Sequence, residues 1–301
     1  MRRIRVPAST TNLGAGFDVL GLALQLYLQV DLEETPFASP ELQLHGEGAR
    51  DLPAGGENLL WRVARRVFEG ENRPVPGVRL RIENQIPLAR GLGSSAAAIV
   101  AGIGCFEAIT GCELSSDRFF QYAFEFENHP DNITAARFGG FTVSAVAESG
   151  KVSFFRASIA PKLKILLTVP EFQLETQKAR AAIPRTLNLS DAVFNLQRSS
   201  LTVAALLNGD FHFLRETLRD RIHQPFRAPL IPGFEEILRL NQEDLPGLAG
   251  ICLSGAGPSV LAFAEANLDG IYLRVAGIFE RHGLRSRRFE LEVDNQGRVI
   301  S

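Results

Sequence analysis

Apolar residues in the first half of the chain recur with two different periods. Val78, Leu80 and Ile82 alternate with charged residues, a period of two that is typical of a half-buried strand. Small and apolar residues then fill positions 96–109, which indicates a buried helix. Patterns of these two kinds predict strands at 4–7, 22–33, 78–83, 138–146 and 152–155 and helices at 58–69, 95–110 and 115–126.

The second half continues this mixture of helices and strands. The segment APKLKILLTVP (160–170) is typical of a buried strand that Pro170 ends. After it, the patterns predict helices at 189–208, 211–219, 234–243 and 270–282, and strands at 250–253, 259–263 and around 288–293. Because both halves mix the two kinds of element, and the pattern changes character near 155–160, we predict an α+β protein with domains at 1–157 and 158–301.

The composition is that of a globular protein without a surplus of charge. Of 301 residues, 45% are hydrophobic and 22% charged, and the formal net charge is −2, which favours neither nucleic acid nor an anionic membrane as a partner. No apolar run approaches the ~20 residues that cross a bilayer, and MRRIRVPAST lacks the apolar stretch of a signal peptide. We expect a cytoplasmic protein whose Cys105, Cys112 and Cys252 are reduced structural thiols in apolar surroundings.

A glycine-rich stretch, IPLARGLGSSAAAIVAGI (86–103), joins a predicted strand to a predicted helix. Gly91 and Gly93 supply backbone freedom, and Ser94 is a suitable N-cap. A loop of this kind can bind an anion, because unpaired N–H groups and the helix dipole both point at it. A tight turn with a helix cap would use the same residues, so the stretch alone leaves both interpretations open.

Two common nucleotide motifs do not fit this loop. Residues 91–96 match the dinucleotide fingerprint GxGxxA, but that motif needs a βαβ unit with an acidic residue about 20 positions further on. Here LSSDRFFQYAFEFE (114–127) predicts another helix instead, capped at Ser115 or Ser116. The P-loop sequence Gly-Lys-Ser/Thr does not occur in the chain. The first observation disfavours a dinucleotide-binding oxidoreductase, and the second disfavours an ordinary P-loop site.

Two further segments place glycines between apolar strands. VPASTTNLGAGFDVLGLAL (6–24) surrounds its glycines with hydroxyl, amide and carboxylate side chains, and GICLSGAGPSVLAF (250–263) has Gly-Ala-Gly between two strands. Each alone would serve equally well as a structural turn. Taken with the loop at 91–96, and in this order, they resemble the three signature motifs of the GHMP kinases, the superfamily of galactokinase and of homoserine, mevalonate and phosphomevalonate kinases.

Within this superfamily the chain most resembles the homoserine kinases, in NLGAGFDVLGLAL (12–24), ENHPDNITAARFGGF (127–141) and HQPFRAPLIPG (223–233). The family usually has Pro where Ala15 stands and Gly where Asn128 stands, and AARFGG replaces a more apolar version; these differences concern loop shape more than chemistry. The resemblance covers nearly the whole chain. It implies the two-domain GHMP-kinase fold, with an N-terminal domain like ribosomal protein S5 domain 2, a ferredoxin-like C-terminal domain, and ATP and acceptor in the cleft between them.

The resemblance implies transfer of the ATP γ-phosphate to the hydroxyl of L-homoserine, with Mg²⁺, in threonine biosynthesis; a homodimer is compatible with it. Phosphoryl transfer depends on positioning and on neutralising charge. The implied phosphate-binding residues are Pro87, Leu88, Ala89, Arg90, Gly91, Leu92, Gly93, Ser94, Ser95, Ala96 and Ala97. Glu127 with Ser94 is implied for the metal, since Glu125 would point about 100° away on a helix.

Further roles follow from the same resemblance. Asn12, Ser95 and Glu127 are the expected catalytic residues, and no general base is assigned, because the γ-phosphate can accept the proton. Asn58 is expected at the adenine, with Leu59 and Trp61 nearby, although we favour ordinary packing over base stacking as the role of Trp61. Arginine binds a carboxylate through paired hydrogen bonds, whereas an ammonium group needs carboxylates. The implied acceptor-binding residues are accordingly Arg180, Arg227 and Thr176 for the carboxylate, Asp18, His129 and Asp131 for the amino end, Asn12 for the hydroxyl, and Gly255 for close backbone approach.

Structural roles stay open for several of these residues. Glu127 would also suit a solvated helix end, Arg227 a surface loop, His129 a structural hydrogen bond and Asp131 a turn or cap. One alternative function is another GHMP small-molecule kinase of the mevalonate or shikimate type, which needs no paired arginines and carboxylates for an α-amino acid. The other is a catalytically silent ligand sensor, which needs neither the metal glutamate nor the loop serines.

Overall fold

The computed structural model describes residues 1–37, 39–159, 162–241 and 243–301, which form two β-sheets with helices packed against them. The strands are β1 (Arg2–Thr11), β2 (Leu20–Thr35), β3 (Glu41–Gly46), β4 (Gly77–Asn84), β5 (Phe141–Val146), β6 (Val152–Ala157), β7 (Lys164–Pro170), β8 (Leu248–Leu253), β9 (Val260–Ala264), β10 (Ser286–Leu291) and β11 (Val299–Ile300). The helices are α1 (Leu59–Gly70), α2 (Ser94–Thr110), α3 (Ser116–Phe124), α4 (Pro130–Phe138), α5 (Thr176–Ala181), α6 (Leu189–Asn208), α7 (Leu214–Thr217), α8 (Gln224–Arg227), α9 (Phe234–Ile237) and α10 (Leu268–Arg281).

The first sheet has the strand order β11-β1-β2-β4-β3, and β5 and β6 extend it from the start of β2. Its pairings are antiparallel except β3 with β4, which is parallel. In β4, Val78, Leu80 and Ile82 are buried and the intervening charged residues are exposed, which confirms the alternation predicted from sequence. Helix α2 packs against β1 and β2 of this sheet, and between Ala96 and Glu107 all its residues except Ala98 are buried, as its composition predicts.

The second sheet has the order β10-β7-β9-β8, antiparallel throughout. If the four strands are numbered in chain order from β7 to β10, they lie side by side in the order 4-1-3-2. Helices follow the first and third strands, which is the ferredoxin-like arrangement. Apolar residues of α10, among them Ile271, Val275 and Phe279, pack against it. In the described ranges, no helix combines the length and the apolar character that a membrane crossing requires. The predicted α+β class and two-domain GHMP-kinase fold are confirmed.

Several predicted elements have different limits in the structure. The prediction of strand at 138–146 was wrong at its start, because Phe138 ends α4, a helix that Pro130 opens at its first turn and that the polar sequence did not suggest. The helix predicted at 234–243 ends at Ile237. Further along, the Asn241 side chain accepts hydrogen bonds from the backbone N–H groups of residues 243 and 244, which form a turn instead of the predicted helix end. The helix predicted at 211–219 is a 3-10 turn followed by the short α7.

Other limits agree more closely. Helix α6 has the predicted bounds, and Ser115 caps α3 as expected. Strand β3 and the short helices α5 and α8 were not predicted. Residues 160–161 of the predicted strand 160–170, residue 160 of the predicted boundary near 155–160, and residue 242 of the predicted helix 234–243, lie outside the described residues.

The cysteines are not all in apolar surroundings. Burial raises the pKa of Cys105 and of Cys252 to about 12, which keeps both as thiols. Cys112 is exposed, so the expectation of apolar surroundings was wrong for this residue. It follows Gly111, the C-cap of α2, at the surface.

The end of the chain returns to the first sheet. Strand β11 pairs with β1, and Val293 forms a bridge with Leu24 on β2. Arg298 forms an ion pair with Glu107 of α2, and both side chains are almost fully buried. A division of the chain at 157/158 stays a prediction, because the last nine residues complete a sheet that the first 157 residues begin.

Candidate active site

A cavity of about 290 Å³ lies where the three glycine-bearing segments meet. The first segment contributes the turn after β1, the second the loop before α2, and the third the turn between β8 and β9. The loop before α4 and the helices α5 and α8 close the remaining sides. Its lining residues are Thr11, Asn12, Asp18, Pro87, Ala89, Arg90, Gly91, Leu92, Gly93, Ser94, Ser95, Ala96, Glu127, His129, Asp131, Asn132, Thr176, Arg180, Arg227, Gly255 and Ala256.

The loop before α2 depends on its two glycines. Gly91 and Gly93 have φ angles of 72° and 68°, a region that strains residues with a side chain. A Cβ on Gly91 would lie 2.0 Å from the Ser254 carbonyl oxygen, and one on Gly93 would lie 2.0 Å from Ser9 Oγ. The glycines therefore let this loop lie directly against the other two segments.

Hydrogen bonds also join the three segments. The Ser254 hydroxyl donates to the Gly91 carbonyl (2.7 Å) and lies 2.8 Å from Thr10 Oγ1. The Ser9 N–H donates to the Leu92 carbonyl at 3.1 Å. The third segment thus supports the loop that opens α2.

The N-cap of α2 is Gly93, not Ser94, so the predicted cap was wrong. The left-handed conformation of Gly93 brings the chain into the helix one residue earlier than expected. Ser94 and Ser95 are then the first two helical residues, and both line the cavity. Their hydroxyls and the N–H groups of this first turn consequently face the space where an anion would bind.

Charged residues also line the cavity. Arg180 Nη2 donates to Asp18 Oδ1 and Oδ2 at 2.7 and 3.0 Å, and His129 Nδ1 lies 3.7 Å from Asp18 Oδ2. The Asn12 side chain accepts from the Asp18 N–H and donates to the Gly255 carbonyl. Asn12 and Asp18 have φ angles of 71° and 58°, which are uncommon for residues other than glycine and often mark functional sites.

Arg227 is buried, with 2% of its surface exposed. It donates to the carbonyls of Gly255 (3.1 Å) and Ala179 (3.3 Å), and Nη1 lies 3.2 Å from His223 Nδ1. Among the described residues, no carboxylate lies within 4.0 Å of its guanidinium. Burial, together with the nearby Arg180, lowers the pKa of Arg227 to about 10. A buried cation with no anionic partner favours binding of an anion from the cavity.

Two carboxyl groups in the cavity have raised pKa values. Burial raises the pKa of Glu127, and burial together with the Asp18 carboxylate raises the pKa of Asp131 to about 7. Glu127 Oε1 accepts from the Asn128 N–H at 3.1 Å. Glu125 instead pairs with Arg66 on α1, as expected if only one of the two glutamates enters the site.

The described residues contain no group of three or more His, Cys, Asp or Glu side chains able to hold a metal ion by themselves. Mg²⁺ usually takes only one or two carboxylates together with phosphate oxygens and water. Glu127 and the hydroxyls of Ser94 and Ser95 provide a donor set of this limited, oxygen-only kind at the cavity wall. The residues present therefore fit a Mg²⁺ ion that arrives with a phosphate ligand.

Three predicted site residues do not line this cavity. Leu88 and Ala97 belong to the loop and helix but face elsewhere. Asn58 lines a separate small cavity of about 40 Å³ that also contacts Ser94. There the Asn58 side chain caps α1, accepting from the Leu60 N–H and donating to the Pro53 carbonyl.

Sequence reasoning missed several residues around the site. Asn132 joins α4 to β1, because its amide lies in hydrogen-bond contact with Ser9 and Thr11. The Phe17 ring lies beneath two guanidinium groups, 5.1 Å from that of Arg180 and 5.4 Å from that of Arg227. His223 stands directly behind Arg227. Only its spacing of four residues from Arg227 could have indicated this contact from the sequence, since residues so spaced share a helix face.

The comparisons with known proteins agree with this arrangement. Residues 58–140 match the family described as GHMP kinases N terminal domain. The chain is 39% identical over 300 residues to the homoserine kinase of Moorella thermoacetica, covering 100% of both chains. It is 36% identical to the homoserine kinase of Schizosaccharomyces pombe, covering 99% of this chain and 98% of that one. The chain belongs to the homoserine kinase family.

Solved structures give the same result for this homoserine kinase family member. The homoserine kinase of Cytophaga hutchinsonii has a TM-score of 0.86 at 26% identity, covering 99% of this chain and 96% of that one. A mevalonate kinase structure has a TM-score of 0.70 at 16% identity, covering 98% and 99%, and shows the shared fold alone. The resemblance to GHMP kinases, and within them to homoserine kinases, is confirmed.

Proposed function

We propose that this homoserine kinase family member transfers the γ-phosphate of ATP to the hydroxyl of L-homoserine, giving O-phospho-L-homoserine and ADP. The observation that carries the proposal is the burial of Arg227, which has no carboxylate partner in the described part of the chain. Its guanidinium lines the same cavity as Asp18, Asp131 and the loop before α2. One end of the cavity thus suits an acceptor with both a carboxylate and an ammonium group. The other end suits phosphates.

The phosphates of ATP would lie against the first turn of α2. Residues 91–95 line this space, so their backbone N–H groups would donate to the phosphates, and the hydroxyls of Ser94 and Ser95 would add further donors. Glu127 and the serine hydroxyls would hold Mg²⁺, which when bound neutralises negative charge on the phosphates. Burial already raises the pKa of Glu127, so a nearby cation would favour its ionised form.

The adenine would occupy the small cavity beside Ser94. Its walls are mainly apolar and include Leu28, Leu44 and Ile82. Because capping already engages both polar atoms of the Asn58 side chain, we assign most of the adenine's binding to this apolar contact and keep a hydrogen bond from Asn58 as a prediction. Trp61 is buried in the core and takes the ordinary packing role.

The acceptor would lie between two charged walls. Its carboxylate would bind Arg227 and Arg180, with Thr176 alongside, and its ammonium group would bind Asp18 and Asp131, with His129 nearby. Acceptor binding would break the Arg180–Asp18 ion pair. The energetic cost is small, because each of the two side chains then faces the complementary charge of the acceptor. Asn12 would then face the hydroxyl. No residue is assigned as a general base, since the γ-phosphate can accept the proton.

Under this proposal the enzyme catalyses a step of threonine biosynthesis. It would act in the cytoplasm, where ATP is available. A homodimer and the domain division at 157/158 stay predictions. The proposed reaction involves neither a membrane nor nucleic acid, because its acceptor is a small molecule.

The test is ADP release from Mg·ATP with L-homoserine, D-homoserine, L-serine, mevalonate, shikimate and galactose as acceptors. We expect turnover with L-homoserine and much slower turnover with the others. Faster turnover with mevalonate or shikimate would contradict the acceptor assignment and keep the kinase fold. No turnover with any acceptor, with ATP still bound, would favour a ligand sensor.

A further inference from the structure

His223 is a fully buried histidine that links the first glycine-bearing turn to Arg227. Its Nε2 lies 2.8 Å from the Gly14 carbonyl oxygen, and its Nδ1 lies 3.2 Å from Arg227 Nη1. A carbonyl oxygen can only accept a hydrogen bond and a guanidinium can only donate one. These two neighbours therefore require the tautomer in which Nε2 carries the proton and Nδ1 offers its lone pair to Arg227.

The histidine is held in place from several sides. Asp220 Oδ2 accepts from the backbone N–H groups of His223 (2.9 Å) and Gln224 (2.5 Å), which fixes the start of α8. The Phe17 ring stacks on the imidazole with ring centres 5.2 Å apart. Asn195 on α6 donates to both Asp220 and the Ala15 carbonyl, so the same network holds the turn that His223 contacts.

Burial favours the neutral form of His223. It lowers the pKa of His223, and the nearby Arg227 acts in the same direction, whereas Asp220, whose Oδ2 lies 3.6 Å from Nε2, and Asp18 act in the opposite direction. A proton on Nδ1 would remove the acceptor that Arg227 uses and place two cations in contact. The neutral ring is thus the form compatible with the position of Arg227.

We propose that His223 is a positioning residue of the acceptor site, holding the Arg227 guanidinium in the orientation that receives the carboxylate of the acceptor. The other two acceptors of Arg227, the Gly255 and Ala179 carbonyls, lie on other segments. His223 is therefore the side chain that fixes Arg227 from within its own helical turn. This inference rests on the proposed function. It predicts that a defect at His223 weakens acceptor binding and leaves nucleotide binding unchanged.

Two substitutions separate the functions of the two ring nitrogens. His223→Gln keeps a donor near the Nε2 position for Gly14 but removes the acceptor facing Arg227. His223→Asn keeps an acceptor near the Nδ1 position and removes the donor to Gly14. We expect His223→Gln to raise the KM for L-homoserine about tenfold with the KM for Mg·ATP unchanged, and His223→Asn to raise it less than about threefold. The reverse ranking, or equal changes in both KM values, would overturn the proposal.

A double-mutant cycle with Arg227→Lys tests whether His223 acts through Arg227. We expect His223→Gln to raise the KM for L-homoserine less than about twofold in the Arg227→Lys background. Independent, multiplicative effects would mean that His223 serves the fold only. Failure of the unsubstituted enzyme to phosphorylate L-homoserine would refute the proposed function instead, so the two failures are distinguishable.

Nitrogen NMR of the unsubstituted enzyme, labelled with ring-¹⁵N histidine, keeps the test valid even if a variant does not fold. The signals of His223 are assigned by comparison with His223→Asn, or, if that variant is unfolded, by selective loss of the other four histidines one at a time. We expect an unprotonated Nδ1 at neutral pH whose signal shifts when L-homoserine binds. A protonated Nδ1, or an Nδ1 signal that L-homoserine leaves unchanged, would overturn the proposal.

Discussion

The two arginines at the acceptor end should contribute unequally to binding, because they differ in burial. Arg227 is almost fully buried and has no carboxylate partner among the described residues, whereas the Arg180 side chain is 36% exposed and already pairs with Asp18. A charged hydrogen bond to the acceptor carboxylate is worth more in the low-dielectric interior than at a solvated position. Arg227 should therefore be the stronger anchor.

The magnitude follows from these environments. Arg227→Ala should cost about 2–4 kcal/mol of acceptor binding, which raises the KM for L-homoserine by one to three orders of magnitude. Arg180→Ala should cost only about 1 kcal/mol, five- to tenfold in KM, because solvent screens this charge and its loss frees Asp18 for the ammonium group. Arg227→Lys keeps the positive charge but loses the paired N–H donors of the guanidinium. It should raise the KM for L-homoserine by an amount between those of the two alanine variants.

The assay is the initial rate of ADP release at saturating Mg·ATP with L-homoserine varied. The KM for ATP serves as the internal control, and a thermal melt of each variant shows that it is folded. The reasoning from burial is refuted if Arg180→Ala raises the KM for L-homoserine more than Arg227→Ala does. An unchanged KM in a folded Arg227→Ala enzyme would remove Arg227 from the acceptor site.

Three further predictions concern the metal, the pH dependence and the C-terminal residues. Glu127→Gln should lower kcat at least about a hundredfold and raise the Mg²⁺ concentration needed for half-maximal rate, with binding of L-homoserine retained by calorimetry; near-normal turnover would place the metal ligand elsewhere. Since the pKa of Asp131 is raised to about 7, this group becomes negative as the pH rises through that value, so the KM for L-homoserine should fall severalfold between about pH 6 and pH 8. Asp131→Asn should abolish that pH dependence, and an identical profile in the variant would exclude Asp131 as its cause. Arg298→Ala leaves the buried Glu107 carboxylate unpaired and should lower the free energy of unfolding in urea by about 3–5 kcal/mol. Arg2→Ala, which breaks the exposed pair with Glu34, is the matched control and should lower it by less than about 1 kcal/mol; equal losses would contradict the role of burial.

Much of the architecture could be predicted from local patterns. The alternation in β4 and the long apolar run of α2 each predict which side chains are buried, because a side chain's period along the backbone decides which face it occupies. Local patterns failed where a proline or a polar side chain favours a different backbone conformation. Pro130 opens a helix in a polar segment, and Asn241 forms a turn within the range predicted as helix.

The candidate site shows the same division. Its chemical inventory was determined by the sequence alone: glycines at 91 and 93 with two serines at a helix start, and arginines and aspartates in separate motifs. Only the tertiary structure decided that segments up to about 240 residues apart share one cavity, as the hydrogen bond from Asn12 to Gly255 shows. It also decided that Arg180 pairs with Asp18, that Arg227 is buried without a carboxylate partner in the ranges described, and that His223 lies beside Arg227. The burial of these charged side chains and their pairing depend on which distant residues pack together, and the local sequence around each charged residue does not determine this.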